Sequence, residues 1–171
     1  MANKAEAVRA VFFDRDGTLN VEKNYLYRIG DFEWMPEAVE AIRYCHEKGY
    51  LVIVITNQSG VARGFYTEED VHRLHDWMND ELKKQGTGID AFYYCPHHEA
   101  GSVPEYTKPC GCRKPSPKLV NDAAADFGID KAQSFFFGDA DRDILCAQNA
   151  GVTGVRYTGG SLLQAVKRAI G

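Results

Sequence analysis

The sequence predicts an α/β fold, a Rossmann-like three-layer sandwich built on a mainly parallel sheet. Three features carry that expectation. Short apolar runs alternate with amphipathic helical segments almost throughout the chain. The runs are continuously apolar, as strands covered on both faces are. Polar residues recur at or just past their ends, at Asp14, Thr56 and Asp139, where parallel strands gather ligand sites.

Val8–Asp14 (VRAVFFD) reads as a buried strand ending in polar residues. Asn20–Trp34 is polar with scattered aromatics and is expected to form a long loop or small flap. Pro36 is expected to open a helix to about Lys48, with Val39, Ile42 and Cys45 on one face and Gly49 ending it. Leu51–Thr56 (LVIVIT) is the second strand. Thr67 fits an N-cap, and Glu68, Glu69 and Asp70 suit the positive end of the helix that follows. Val71, Leu74, Met78 and Leu82 keep helical spacing there. Ile89–Cys95 is the third strand, followed by a Gly- and Pro-rich loop over Cys95–Lys114. Pro117–Phe127 reads as a helix with Leu119, Val120, Ala123 and Phe127 facing one way. Ser134–Gly138 (SFFFG) is the fourth strand, Asp141–Asn149 a helix stopped by Gly151, Val152–Arg156 the fifth strand and Leu162–Ile170 a final amphipathic helix. Repeats, low-complexity segments and linkers are absent from the sequence, so residues 1–171 are expected to form a single domain without a large cap domain.

A chain of 171 residues, 44% hydrophobic and 26% charged, can bury a core without covalent or metal support. The net charge of -4, with no basic stripe, argues against nucleic acid or a membrane surface as partner. A phosphate substrate stays compatible, because one divalent cation and a few local Lys or Arg residues reverse the sign of a small pocket. No apolar run is long enough to cross a membrane, and no charged leader with an apolar run opens the chain. A cytoplasmic monomer is therefore expected.

The sharpest local signal is Asp14-Arg15-Asp16-Gly17-Thr18. Two carboxylates two residues apart leave a strand end together, and Gly17 permits a tight turn behind them. One carboxylate can attack phosphorus while the other handles the proton of the leaving group. Such an attack needs its charge offset, which a hard oxygen-ligated cation and a lysine supply.

The five cysteines form no even framework, and Cys95, Cys110 and Cys112 crowd around Cys-Pro-His97-His98. A Cys-x-His arm, or one through His98, and a Cys-x-Cys arm offer four ligands suited to tetrahedral zinc. With all four positions filled no site stays open for water, so the metal is expected to be structural, stapling loop 95–114. Cys45 and Cys146 fall on helices and read as packing residues.

These motifs resemble the haloacid dehalogenase superfamily of phosphatases. Asp14-x-Asp16-Gly17-Thr18 matches its first signature, Thr56 the second, Lys114 in Cys-Arg-Lys-Pro the third, and Gly138-Asp139 with Asp143 the fourth. The resemblance implies an aspartyl-phosphate on Asp14, with Asp16 as the acid that protonates the leaving alkoxide and then the base that activates water. It implies that Thr56 hydrogen-bonds a phosphoryl oxygen and that Lys114 neutralises its charge. It implies magnesium on Asp14, Asp139 and the backbone carbonyl of Asp16, with Asp143 as an outer partner.

The zinc loop narrows the likeness to the heptose-bisphosphate phosphatase branch and, more distantly, the histidinol-phosphate phosphatases. The blocks that carry it are Phe13–Asn20, Thr56–Gly64, Tyr94–His98 and Cys112–Pro115. This implies His97 rather than His98 as the zinc ligand beside Cys95, Cys110 and Cys112. It implies removal of the C7 phosphate of D-glycero-D-manno-heptose 1,7-bisphosphate, with Asn57, Gln58, Ser59, Arg113 and the Glu22–Tyr25 stretch on the substrate. The planar fork of Arg113 suits a distal phosphate, although a solvated loop arginine fits its sequence context equally. Ala140 stands where the branch carries Lys or Arg, so either Arg142 reaches in or substrate preference or metal geometry differs. The competing readings are a histidinol-phosphate or other small-metabolite phosphatase, a non-catalytic binding protein on the same scaffold, and a nucleic-acid 3′-phosphatase.

Overall fold

The computed structural model describes residues 7–171. The expectations about a leader, and the place of residues 1–6 in the domain, lie outside the described residues. The described chain runs β1 (Arg9–Phe13), α1 (Ala38–Glu47), β2 (Tyr50–Asn57), α2 (Glu68–Lys84), β3 (Ala91–Cys95), α3 (Lys118–Phe127), β4 (Phe135–Gly138), α4 (Asp141–Ala150), β5 (Thr153–Arg156) and α5 (Leu162–Ile170). Two short 3-10 turns, Ile29–Asp31 and Lys131–Gln133, were not anticipated.

The strands lie in the order β3-β2-β1-β4-β5, and each pairing is parallel. Side chains alternate between the two faces of the sheet. Val11, Phe13, Val52, Val54 and Phe137 pack beneath α1, α2 and α5. Ala10, Phe12, Ile53, Ile55 and Phe136 pack beneath α3 and α4. That gives three layers, and it explains why the central strands are apolar on both faces. Each fully buried Phe or Ile in them contributes about 1.5–3 kcal/mol relative to exposure. Neither long connection, from β1 to α1 or from β3 to α3, contains a further α-helix or strand of the sheet, so no large cap domain is built there.

Most element ends shift by a residue or so, and three departures from the sequence reading have a physical reason. The first helix starts at Ala38 rather than Pro36, because Glu37 sits in the left-handed region at φ 58°. The third strand starts at Ala91, because Asp90 uses its side chain on the Val52 amide (2.7 Å) and its own amide on the Val52 carbonyl (2.8 Å). Phe127, expected to face inward, is 36% exposed: it ends α3, Gly128 turns the chain in the left-handed region, and Ile129 fills the core instead. The capping box of α2 is present, with Thr67 Oγ1 accepting from the Asp70 amide and Asp70 accepting from the Thr67 amide.

The order of strands reverses between β1 and β4. A ligand site in such a sheet forms at the carboxyl ends of the strands, beside that reversal. Asp14 follows β1 and Asp139 follows β4, so the two stand on either side of it.

Candidate active site and metal centre

Asp14 is held at the end of β1 by its own amide, which donates to the Phe137 carbonyl of β4 (3.0 Å). Gly17 turns the chain at φ 89° and lets it pass Asp139 closely: a Cβ there would lie 2.2 Å from Asp139 Oδ2. Gly138 serves the other motif in the same way, since its Cβ would stand 2.3 Å from the Cβ of Asp143.

Lys114, from the far end of the Cys95–Lys114 loop, inserts its ammonium between two carboxylates. Its Nζ donates to Asp14 Oδ1 (2.7 Å), Asp143 Oδ1 (2.7 Å) and the Ile55 carbonyl (3.0 Å). All three side chains are buried, and with both carboxylates ionised the group carries one negative charge in excess. Burial pushes the Asp14 carboxyl up to about 7, against the pull of Lys114 and with the repulsion of Asp143. Burial also opposes the Lys114 ammonium, yet the two carboxylates outweigh it and its pKa is raised. Asp143 further accepts from the Ala140 amide through Oδ2 (3.2 Å).

Asp14 Oδ2 and Asp139 Oδ1 are buried and have no hydrogen-bond partner. Ligand oxygens of Asp14, Asp139 and Asp143 all lie within 4.8 Å of one another. Unpartnered hard oxygens with surplus negative charge fit magnesium, which takes oxygen ligands and commonly only one or two carboxylates.

Asp16 accepts from Arg15, from Asn20 Nδ2 (3.0 Å) and from Gln58 Nε2 (3.2 Å). Gln58 also donates to Thr56 Oγ1 (2.9 Å), and its own oxygen accepts from the Tyr66 hydroxyl (2.5 Å). Burial raises the pKa of Tyr66, so its hydroxyl stays a donor.

Asp16, Thr56, Gln58 and Tyr66 face a cavity of about 280 Å³, which Asp139 does not line. Asp14, Asp16, Thr56 and Lys114 line it, and so do Glu22, Tyr25, Asn57, Gln58, Ser59 and Arg113. Asn57 has a second task, since its Oδ1 accepts from the Lys114 amide (3.0 Å) and clamps the lysine's backbone. The Glu22–Tyr25 stretch forms one wall, with Asn24 and Tyr25 both in the left-handed region (φ 56° and 65°). Tyr25 meets Phe65 edge to face (4.8 Å between ring centres). Arg142 reaches the cavity wall from the first turn of α4, two residues past Ala140. Arg113 Nη1 is buried without a partner.

The second metal-competent cluster holds Cys95, His97, Cys110 and Cys112, with ligand atoms within 4.8 Å of one another. Cys95 Sγ lies 2.7 Å from Cys112 Sγ and 3.5 Å from Cys110 Sγ, and His97 Nδ1 lies 3.5 Å from Cys112 Sγ. Three thiols and an imidazole gathered this way fit zinc, whose tetrahedral ligands sit roughly 3.7 Å apart. His98 is turned away and accepts from the Ala100 amide through Nδ1 (2.9 Å). The rest of the loop is tied to its surroundings: the amides of Ser102 and Val103 donate to the Ala62 carbonyl (2.8 and 2.9 Å), and Tyr106 donates to Glu68 (2.7 Å), which also accepts from Tyr94 of β3 (2.6 Å). These two hydroxyls hold the Glu68 carboxyl below its usual range.

Sequence reasoning passed over Arg15, His75 and Tyr66, and it did not separate Asn24 from its neighbours. Arg15 occupies the variable position between the two aspartates and is the largest fully buried side chain. A bulky cation between two acids at a strand end is a readable signal. His75 carries none, because it simply occupies one position on an amphipathic helix.

The strand-end aspartates, the buried lysine and the parallel sheet together define a phosphatase of the haloacid dehalogenase type. Residues 9–153 match the family model described as "Polynucleotide kinase 3 phosphatase". Over 161 residues the chain is 42% identical to a D-glycero-beta-D-manno-heptose-1,7-bisphosphate 7-phosphatase of Rhodopseudomonas palustris, covering 94% of this chain and 89% of that one. It is 41% identical over 145 residues to a D-glycero-alpha-D-manno-heptose-1,7-bisphosphate 7-phosphatase of Photorhabdus laumondii, covering 85% and 79%. The chain belongs to this heptose-1,7-bisphosphate 7-phosphatase family, within the phosphatases that the matching model describes. Among solved structures it is similar to the D,D-heptose 1,7-bisphosphate phosphatase of B. bronchiseptica complexed with magnesium and phosphate, with a TM-score of 0.78, 28% identity and coverage of 95% and 87%.

Proposed function

We propose that the chain is a magnesium-dependent phosphomonoester hydrolase that removes the C7 phosphate of D-glycero-D-manno-heptose 1,7-bisphosphate, a step toward nucleotide-activated heptose. The observation that carries this reading is the placement of Asp14 and Asp16 on one cavity with the Lys114 ammonium bonded to Asp14.

A carboxylate oxygen of Asp14 attacks phosphorus as the bond from phosphorus to the C7 oxygen breaks. Asp16 gives its proton to the departing alkoxide, and an aspartyl-phosphate remains on Asp14. Asp16, now ionised, takes a proton from water, which attacks phosphorus and releases inorganic phosphate. Thr56 and Lys114 hold phosphoryl oxygens. Asp14, Asp139 and the carbonyl of Asp16 would hold magnesium, which when bound offsets the charge of the phosphoryl group and the nucleophile. Asp143 keeps Lys114 in place from behind.

Glu22, Tyr25, Asn57, Gln58 and Ser59 would contact the sugar. Arg113 would take the C1 phosphate, a role favoured by its buried, unpartnered Nη1 in the wall of the cavity. Arg142 supplies the positive charge that Ala140 lacks. Cys95, His97, Cys110 and Cys112 would hold structural zinc. Residues 1–171 act as one phosphatase domain, a cytoplasmic monomer without nucleic-acid or membrane partners. The net charge of -4 supports the sugar over a polynucleotide, and no helix of the described residues is long and apolar enough to cross a membrane.

Side-by-side kinetics with both C1 anomers of the heptose bisphosphate and with histidinol phosphate test the substrate. The expected outcome is a higher kcat/KM for a heptose bisphosphate. A preference for histidinol phosphate would move the chain to the neighbouring branch and leave Asp14 as the nucleophile.

A further inference from the structure

Asp16 does not hold its place unaided. Arg15 Nη2 lies 3.0 Å from both Asp16 carboxylate oxygens, and Arg15 Nε lies 3.3 Å from Oδ1. Neighbouring side chains of a strand point to opposite faces. Here the chain has left β1, and the amides of Thr18, Leu19 and Asn20 all close on the Arg15 carbonyl (3.2, 2.9 and 3.2 Å), so both side chains come to the same side.

The guanidinium is itself locked. Arg15 is 1% exposed. Its Nη1 is 3.2 Å from His75 Nε2, and its Nη2 also donates to the Leu26 carbonyl (3.0 Å). His75 belongs to α2 and stacks on Phe92 of β3 with ring centres 4.2 Å apart. Leu26 is buried in the segment that carries Glu22 and Tyr25. One buried cation therefore bonds to the carboxylate on the cavity, to a helix packed on the sheet, and to the segment forming the cavity wall. A buried arginine is costly unless it is fully paired, and its planar fork is suited to fixing a carboxylate in orientation.

We propose that Arg15 is a positioning residue for the acid–base step: it sets the Asp16 carboxyl against the leaving group and ties that setting to the Leu26 segment. The inference rests on the reading of Asp16 as the general acid given above. Asn20 and Gln58 complete the hold, each with a single bond, whereas Arg15 alone spans both oxygens.

The test compares leaving groups. A sugar alkoxide needs a proton as it departs, and p-nitrophenolate does not. kcat/KM is measured with the heptose bisphosphate (or the alkyl phosphate turned over fastest in the comparison above) and with p-nitrophenyl phosphate. The proteins are the parent, Arg15→Met, Arg15→Lys and Asp16→Asn, each checked for folding by circular dichroism. For Arg15→Met the expected loss is about 10²–10³-fold on the alkyl phosphate and under about 10-fold on the aryl phosphate, within the usual range of acid–base contributions. Arg15→Lys keeps the charge without the fork and should fall between. Equal losses on both substrates for the Arg15 variants, beside a leaving-group-selective loss for Asp16→Asn, would overturn the inference and leave the general acid in place. Equal losses for Asp16→Asn would remove the general acid and the inference with it. If Arg15→Met does not fold, His75→Leu takes its place: it removes the Nη1 partner and should show the same selectivity at smaller size, while an equal loss on both substrates counts against the positioning role.

Discussion

The strand-end site and the Cys95–Lys114 loop reach the same precision by opposite means. Asp14, Thr56 and Asp139 are placed by ladder hydrogen bonds and by a core of Val, Ile and Phe on both faces of the sheet. The loop contains no α-helix and no strand beyond Cys95, and most of its residues are partly or fully exposed. It is held by the Cys95/His97/Cys110/Cys112 cluster, by Tyr106 on Glu68 and by two backbone amides on the Ala62 carbonyl. Even so, it ends in Lys114, which is 2% exposed and bonded to Asp14. A segment without a core can deliver a buried charge when cross-links take over the work of packing.

The largest expected effect separates function from stability within the charged group. Asp14→Asn should lower kcat by at least about 10³-fold, as loss of a nucleophile does. It should not lower the denaturation midpoint, because it removes the excess negative charge and leaves Lys114 paired with Asp143. Lys114→Met should also abolish turnover, but it strands two buried carboxylates and should cost about 3–5 kcal/mol of stability. Phosphate release and denaturant titration measure both. A Lys114→Met protein as stable as the parent would mean that the loop is not anchored through this lysine.

Chelation probes the other region. Verified removal of metal from the cysteine cluster should lower kcat/KM by roughly 10- to 100-fold, the range seen when the support of a metal site is lost. Far-UV circular dichroism should change little, and protease cuts should appear within residues 96–114. Unchanged kinetics after zinc loss would uncouple the loop from the site.

The smallest effect concerns the packing beneath the site. Burial first, then Arg15 and His72, keep the His75 pKa well below 6.5. The folded state therefore holds His75 neutral while the unfolded chain takes up a proton as pH falls through 6.5. Stability should decline on acidification from there by up to about 1.4 kcal/mol per pH unit for this group. His75→Gln keeps an acceptor for Arg15 and removes the titration. Its stability difference from the parent should change between pH 7.5 and pH 5.5 in its favour, and a difference that stays constant would exclude His75 as the source.

Much of the site was legible because its chemistry follows local rules. The alternation of apolar runs and helical spacing defined the sheet, and polar residues at strand ends marked where a ligand sits. Asp14 and Asp16 are readable from their own segment, whereas Thr56 and Asp139 stand out only through their joint placement at the ends of successive strands. Lys114 needed the family resemblance, since a lysine in a Gly- and Pro-rich loop otherwise reads as a surface charge. The helix start at Ala38 and the exposure of Phe127 were misread because both depend on where the chain turns in the left-handed region, at Glu37 and Gly128.

By itself the sequence determined the fold class, the paired carboxylates and the three cysteines of the metal-competent loop, because period, strand-end position and ligand type are local properties; the choice of His97 over His98 came from the family resemblance and is matched by the geometry. Only the tertiary structure decided what surrounds them. It made Arg15 the partner of Asp16, His75 and the Leu26 carbonyl, and it placed Asp143 behind Lys114 rather than merely near Asp139. The physical reason is that a buried charge is defined by its partners, and these come from segments up to 100 residues apart in the chain.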